Sequence, residues 1–255
     1  MIDSHCHCEA FDDINDVLAR AEDAGVTQVI TISSQLESSP KLTDLCRRFP
    51  GKLFMTTGVH PEEISGLTDE VLERAILRDA QQSFCVGVGE IGLDDHQKPS
   101  EEEKARQRHF FDLQMSLAGR LGLPVSIHTR DAIEDTIAIV KNHPSVRGVF
   151  HCFCESVEIA RRVLDLGYRI SLSGIVTFKK ATIMQEVARF IPSEALLIET
   201  DAPYLAPEPY RGKRNEPAFV AKTGEFIAQL RGLSPAVLFE QTATNTRQLF
   251  GLDKD

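Results

Sequence analysis

Eight short runs of β-forming residues recur along the chain, each separated from the next by a helix-forming stretch. They fall at residues 1–7, 27–33, 53–60, 84–93, 124–129, 148–153, 168–173 and 195–201. Several are almost continuously apolar, as in Val29-Ile30-Thr31-Ile32, which suits parallel strands covered by helices on both faces. The intervening stretches are amphipathic. The clearest is 100–121, where Phe110, Phe111, Leu113, Gln114, Leu117 and Leu121 recur at roughly helical spacing. Eight β/α alternations in 255 residues predict an α/β fold, a single (β/α)8 TIM-type barrel spanning 1–255; an open doubly wound sheet is the second arrangement. No linker, low-complexity tract or internal repeat divides the chain. Residues 217–252 read as two further helices closing the barrel.

Composition narrows the function. The chain carries 28 Lys plus Arg against 38 Asp plus Glu, a net charge of −10. That balance argues against a protein that coats duplex DNA through many phosphate contacts. An enzyme gripping a few phosphates through a metal or a local basic patch remains compatible with it. No apolar run approaches the ~20 residues of a membrane helix, and the opening Met1-Ile2-Asp3-Ser4-His5 lacks the basic and apolar regions of a signal peptide. The expectation is a cytoplasmic protein without a membrane partner, its six cysteines present as reduced thiols.

Ionisable residues gather where the apolar runs end. His5 and His7 lie two apart at the end of the first run, so in a strand they share a face while Cys6 and Cys8 take the other. Glu90, His128, His151 and Asp201 end four later runs. In a β/α barrel those ends converge on the face that carries catalysis. Burying so many polar groups without partners would cost several kcal/mol, and one or two bound cations would offset it. Imidazole and carboxylate without thiolate suit Zn²⁺, Mn²⁺ or Mg²⁺ with positions open to water, and hence metal-assisted hydrolysis. Glu90 stands between the two ligand groups in chain order and is the natural bridging carboxylate. Asp201 is placed to bind one ion and to take the proton of the attacking water. Cys6, Cys8, Cys152 and Cys154 form two C-x-C pairs. We read them as packing residues rather than a Cys₄ zinc site, because alternation turns Cys6 and Cys152 away from the His-lined interior.

Three further features bear on substrate. His60, in Gly58-Val59-His60-Pro61, either touches substrate directly or supports a residue that does. Arg130 either holds a phosphate or carboxylate in bidentate fashion or pairs with Asp131. Arg211-Gly212-Lys213-Arg214 is the one compact basic cluster, and Arg211 and Arg214 are either substrate contacts or part of a solvated loop.

Taken in order, these segments resemble the TatD family of metal-dependent deoxyribonucleases, within the wider amidohydrolase-like barrels. The resemblance runs through Asp3-Ser4-His5-Cys6-His7, Gly58-Val59-His60-Pro61, Gly89-Glu90-Ile91-Gly92-Leu93-Asp94 and Ile127-His128-Thr129-Arg130-Asp131-Ala132. It continues with His151-Cys152-Phe153, the segment from Glu199-Thr200-Asp201 to Pro207, and Arg214-Asn215-Glu216-Pro217. It implies a barrel with one to three divalent ions. His5, His7, Glu90 and Asp201 would hold the first, and Glu90, His128 and His151 the second. It also implies hydrolysis of DNA phosphodiesters, as a 3′→5′ exonuclease on single strands, with His60 and Arg130 near the scissile phosphate. One departure stands out: the family usually carries an aromatic residue right after Gly-Leu-Asp, where this chain has Asp95 and His96.

The leading expectation is therefore a metal-dependent hydrolase acting on DNA. A hydrolase of a small phosphate ester, amide or lactone on the same site is the alternative, and a non-catalytic metal-binding protein is the third.

Overall fold

The structure, a computed structural model, describes residues 1–252; the last three residues of the expected single domain 1–255 lie outside the described residues. Eight strands are present among them: β1 Ile2–Cys6, β2 Gln28–Thr31, β3 Leu53–Thr57, β4 Cys85–Asp94, β5 Val125–Arg130, β6 Gly148–Phe150, β7 Arg169–Leu172 and β8 Leu196–Ile198. All pair in parallel, and their order in the sheet is their order in the chain. Beyond β8, Asp201 N–H donates to His5 O (2.9 Å) and His7 N–H to Ala202 O (2.8 Å). These bonds bring the end of the sheet round to β1 and leave a nearly closed barrel, the (β/α)8 arrangement that the alternation predicts.

A helix follows every strand: α1 Ile14–Asp23, α2 Ser39–Arg48, α3 Asp69–Asp79, α4 Glu101–Leu121, α5 Ile133–Lys141, α6 Val157–Asp165, α7 Thr182–Phe190 and α8 Val220–Arg231; α9 Pro235–Phe250 is added after the last. The two tail helices thus lie within 217–252, as expected. Helix α4 shows why such boundaries are sharp. Ser100 Oγ accepts the Glu103 N–H and Glu103 Oε2 accepts the Ser100 N–H, a reciprocal cap, and Gly122 ends the helix at φ 66°.

The core has two parts. The larger lies between strands and helices and includes Leu53, Leu72, Phe110, Phe111 and Val187. The smaller holds Ile2, Ile30, Val86, Val149 and Leu197 with Ala243 and Phe250 of α9. Fully burying an aliphatic side chain of this kind contributes roughly 1.5–3 kcal/mol, so α9 stabilises the barrel by covering strand residues that would otherwise meet water.

Two strands depart from regular pairing where the chemistry sits. On β1 the register goes from Asp3↔Val29 to Cys6↔Thr31, and on β4 from Val88↔Val125 to Ile91↔Ile127. Each irregularity spends one more residue on the first strand than on its neighbour, and the two bracket His5 and Glu90. Such bulges re-aim side chains. Glu90 is consequently not the end of its strand, as the apolar run suggests: β4 continues to Asp94, paired with β5 as far as Arg130.

Candidate metal centre

Six of the residues singled out from the sequence converge at one end of the barrel. The Nε2 atoms of His5 and His7 lie 3.6 and 3.7 Å from Glu90 Oε2, and both lie 3.6 Å from Asp201 Oδ1. These separations exceed an N–H···O hydrogen bond of ~2.7–3.2 Å. They approach the edges, about 3.4–3.6 Å, of a tetrahedron whose arms have the ~2.1–2.2 Å length of zinc–ligand bonds. His5 Nε2 is buried without a hydrogen-bond partner. The donor set and its spacing therefore fit a divalent cation.

The other oxygen of Glu90 faces a second group. Its Oε1 is 2.7 Å from His151 Nε2 and 3.0 Å from His128 Nδ1, and those two nitrogens are 3.4 Å apart. One carboxylate thus serves two clusters. The rings of His5 and His151 are stacked, 3.8 Å between centroids, which packs the clusters against each other.

The outer nitrogen of each imidazole shows what the inner one can do. His128 Nε2 is 2.9 Å from Asp94 Oδ2. His151 Nδ1 is 3.4 Å from Glu199 Oε1, His7 Nδ1 is 3.5 Å from Glu9 Oε1, and His5 Nδ1 is 3.4 Å from Ser126 Oγ. The His128 contact has full hydrogen-bond length, the other three are 3.4–3.5 Å, and His151 Nδ1 is buried without a hydrogen-bond partner. With a cation bound, an N–H on each outer nitrogen would leave the inner one free to ligate. This is the arrangement that orients metal-binding histidines. His60 is built with the opposite polarity. Its Nδ1 accepts the backbone N–H of Glu62 (3.2 Å), so in the neutral ring Nε2 carries the hydrogen, 3.7 Å from Glu90 Oε1. At that distance His60 makes no hydrogen bond to Glu90, and its Nε2 lies close enough to Glu90 and His128 to join them in one group of ligand atoms.

The charges follow. Burial lowers the His5 pKa, and the neighbouring His151 adds to the effect. Burial pushes His60 down to about 4 even against the Glu90 charge, so it is neutral near pH 7. For His7, His128 and His151, burial is outweighed by the facing carboxylates, and each is raised. For Glu90 burial is outweighed by His151, His60 and His128, which hold it well below the usual carboxylate range. Asp201 is likewise lowered, burial being overcome by His7, His5 and His151.

Local backbone supports this geometry. Gly92 has φ 145°, and a Cβ there would stand 1.9 Å from His128 O, so the approach of β4 to β5 beside the site admits only glycine. Asp201 lies in the left-handed region at φ 56°, as does Asp131; aspartate tolerates it better than most residues. Two buried glutamines of α4 hold the strand ends. Gln114 accepts from Val59 N–H (2.8 Å) and donates to Val59 O (3.1 Å), and Gln107 does the same at Asp94 (2.8 and 2.9 Å). Gln114, which the helical spacing places on an apolar face, is thus a polar clamp one residue before His60.

The substrate candidates divide. Arg130 is exposed at the end of β5, and Asp131 pairs with His96 (2.8 Å) rather than with it. Arg211 lies over the Phe178 ring, 4.2 Å from its centroid. Arg214 lies over Phe11 and donates to Ala10 O, which ties its loop to the segment after β1. The cysteines also divide. Cys6 and Cys8 are buried 3.8 Å apart on the face opposite the histidines. Cys152 does not follow the expected alternation. Strand β6 ends at Phe150, and Cys152, at φ 43°, donates its N–H to Glu199 and sets its Sγ 3.2 Å from Ser173 Oγ. Among the described residues no group of three or more ligand atoms suited to a metal includes a cysteine.

The sequence reading assigned no role to Asp94, Glu199, Glu9 or Ser126. Asp94 had a signal: it stands four residues beyond Glu90 on one strand, hence on the same face. Glu199 lies two residues before Asp201, but its partner His151 follows a different strand, β6.

Comparison with known proteins agrees with this geometry. The family model of TatD-related DNases matches residues 2–251. An uncharacterized metal-dependent hydrolase of Escherichia coli, YcfH, is 38% identical over 99% of this chain and 96% of its own length. A protein of Erwinia billingiae named 3′-5′ ssDNA/RNA exonuclease TatD is 36% identical over 94% of each chain. The crystal structure of the TatD homologue YjjV from Escherichia coli superimposes with a TM-score of 0.89 at 28% identity, covering 98% of both chains. The chain belongs to the TatD family of metal-dependent hydrolases.

Proposed function

We propose that this protein is a deoxyribonuclease that cleaves phosphodiester bonds in DNA, removing nucleotides 3′→5′ from single strands. The observation that carries the reading is the contrast in polarity at one centre. Four imidazoles and two carboxylates turn ligand atoms to it and would offer lone pairs to a bound cation, while His60, whose Nδ1 accepts a backbone N–H, turns Nε2–H toward it. That combination suits a cation-bound phosphate whose non-bridging oxygen also needs a donor. The relative named as an exonuclease, similar over nearly the whole chain, supports the choice of substrate.

His5, His7, Glu90 and Asp201 would hold one divalent ion, and Glu90, His128 and His151 a second. When bound, such ions lower the pKa of water toward ~7 and clamp the attacking and leaving oxygens of a phosphoryl group. The chain's own residues do the rest. Asp201, held ionised and in contact with His5 and His7 through Oδ1, takes the proton from the attacking water. His60 Nε2–H donates to a phosphoryl oxygen and strengthens that bond as charge builds there. Arg130, two residues beyond His128 on β5, offers a planar guanidinium to the phosphate.

The test is hydrolysis of end-labelled single-stranded DNA by metal-free protein resupplied with Mg²⁺, Mn²⁺ or Zn²⁺, with Glu90→Ala and Asp201→Asn as controls for contaminating nuclease. Stepwise shortening from the 3′ end that needs the ion and vanishes in both variants is expected. Metal-loaded protein that leaves every strand intact would overturn the proposal and redirect it to small phosphate esters.

A further inference from the structure

Tyr204 is 62% exposed and is the only aromatic side chain among the exposed large hydrophobic residues described. It stands at the rim of the metal centre. Its ring centroid is 6.2 Å from that of His7, the two planes at 70° to each other. No described ring is stacked on it. An aromatic ring left in water forgoes burial worth roughly 25 cal/mol per Å² of apolar surface, yet the backbone here is firmly held. Tyr204 N–H donates to Asp201 O (2.9 Å), and the fully buried Asn215 donates from Nδ2 to both Tyr204 O (2.6 Å) and Thr200 O (2.9 Å). On the other side, a Cβ at Gly174 would stand 2.3 Å from Leu205 O, so the loop after β7 packs directly on the next residue. The segment that carries the proton-accepting Asp201 therefore also fixes an exposed, unstacked ring beside His7.

We propose that Tyr204 is a stacking platform for the nucleobase of the nucleotide next to the scissile phosphate. This rests on the phosphodiesterase reading above. A phosphate held between His7 and Asp201 places the attached nucleoside at the rim, where Tyr204 stands. Stacking suits a nuclease that must accept every base, because each base presents a π-face. The ring acts on binding and register, and the hydrolytic groups are unchanged by it.

The chain contains no tryptophan, so Tyr204→Trp introduces a single fluorophore at the site. The metal-loaded protein is titrated with a cleavage-resistant phosphorothioate oligothymidylate and with a strand of equal length whose terminal nucleotides lack bases. Affinities are read by anisotropy of end-labelled strands for the native protein, Tyr204→Ala and Tyr204→Phe. The expected result is saturable quenching of Tyr204→Trp by the base-bearing strand only. The native protein and Tyr204→Phe should prefer the base-bearing strand by about 5- to 100-fold, and Tyr204→Ala should lose that preference. If both strands bind equally to the native protein without quenching Tyr204→Trp, the stacking role is wrong and the phosphodiesterase reading stands. If neither strand binds, both are wrong.

Discussion

His60 Nδ1 accepts the backbone N–H of Glu62 at 3.2 Å, and this single bond separates His60 from the other imidazoles of the centre. It commits the hydrogen of the neutral ring to Nε2, the nitrogen that faces Glu90. His60→Ala should therefore lower kcat by about 10²–10³-fold, the usual loss when one donor to developing charge is removed, while metal content stays at the native level. Steady-state kinetics paired with elemental analysis of the purified variant checks this. A variant that loses its metal in proportion to its activity would show that His60 is a ligand.

The outer partners of the second cluster should behave in the contrary way. Asp94 holds His128 at 2.9 Å, and Glu199 stands 3.4 Å from His151. Asp94→Asn and Glu199→Gln keep size but remove the carboxylate charge. Each should weaken retention of one ion by about 10–100-fold and leave the ion held by His5, His7 and Asp201 in place. Competition with a graded chelator, followed as ions retained per chain, reads this directly. Loss of both ions together would argue against two separable sites.

The clamps from α4 should matter for stability and catalysis at once. Gln114→Leu leaves the N–H and C=O of Val59 buried without partners, each at about 1–3 kcal/mol. We expect a destabilisation of about 2–5 kcal/mol in urea unfolding and a lower kcat, since Val59 precedes His60. Gln107→Leu should instead disturb Asp94 and thus His128. An unchanged unfolding midpoint would mean that water replaces the lost bonds.

Gly92→Ala should be among the most damaging small substitutions in the barrel. It adds a methyl that meets His128 O at 1.9 Å and forces φ 145° on an L-residue. A loss of about 3 kcal/mol or more, or failure to fold, is expected. Gly122→Ala, at a helix end with φ 66° and open space around it, should cost only about 1 kcal/mol. Equal effects at the two positions would contradict the close approach of β4 to β5.

These expectations depend unequally on what the sequence reveals. The alternation of apolar runs with amphipathic stretches identifies a barrel, because parallel strands buried on both faces need that pattern. Ionisable residues such as His128 and His151 at the ends of such runs stand out for the same reason. The bulges at His5 and Glu90 leave no mark, since an extra residue in one strand shows only against its neighbour. Gln107 and Gln114 look like blemishes on an apolar helix face until the backbone groups that they hold are seen. The pairings Asp94–His128 and Glu199–His151 join residues on or just beyond different strands, and pattern within one segment cannot report contact between two. The polarity of His60 depends on a backbone N–H two residues away and on the local turn that aims it.

The two oxygens of Glu90 are proposed to serve two cation positions. Anomalous diffraction from crystals grown with Mn²⁺ or Zn²⁺ tests it most directly. Two peaks about 3.5–4 Å apart are expected, one among His5, His7 and Asp201 and the other between His128 and His151, with Glu90 joining both. A peak ligated by His60 Nε2, or one placed among His60, Glu62 and Asp94, whose ligand atoms also lie within 4.8 Å of one another, would contradict it.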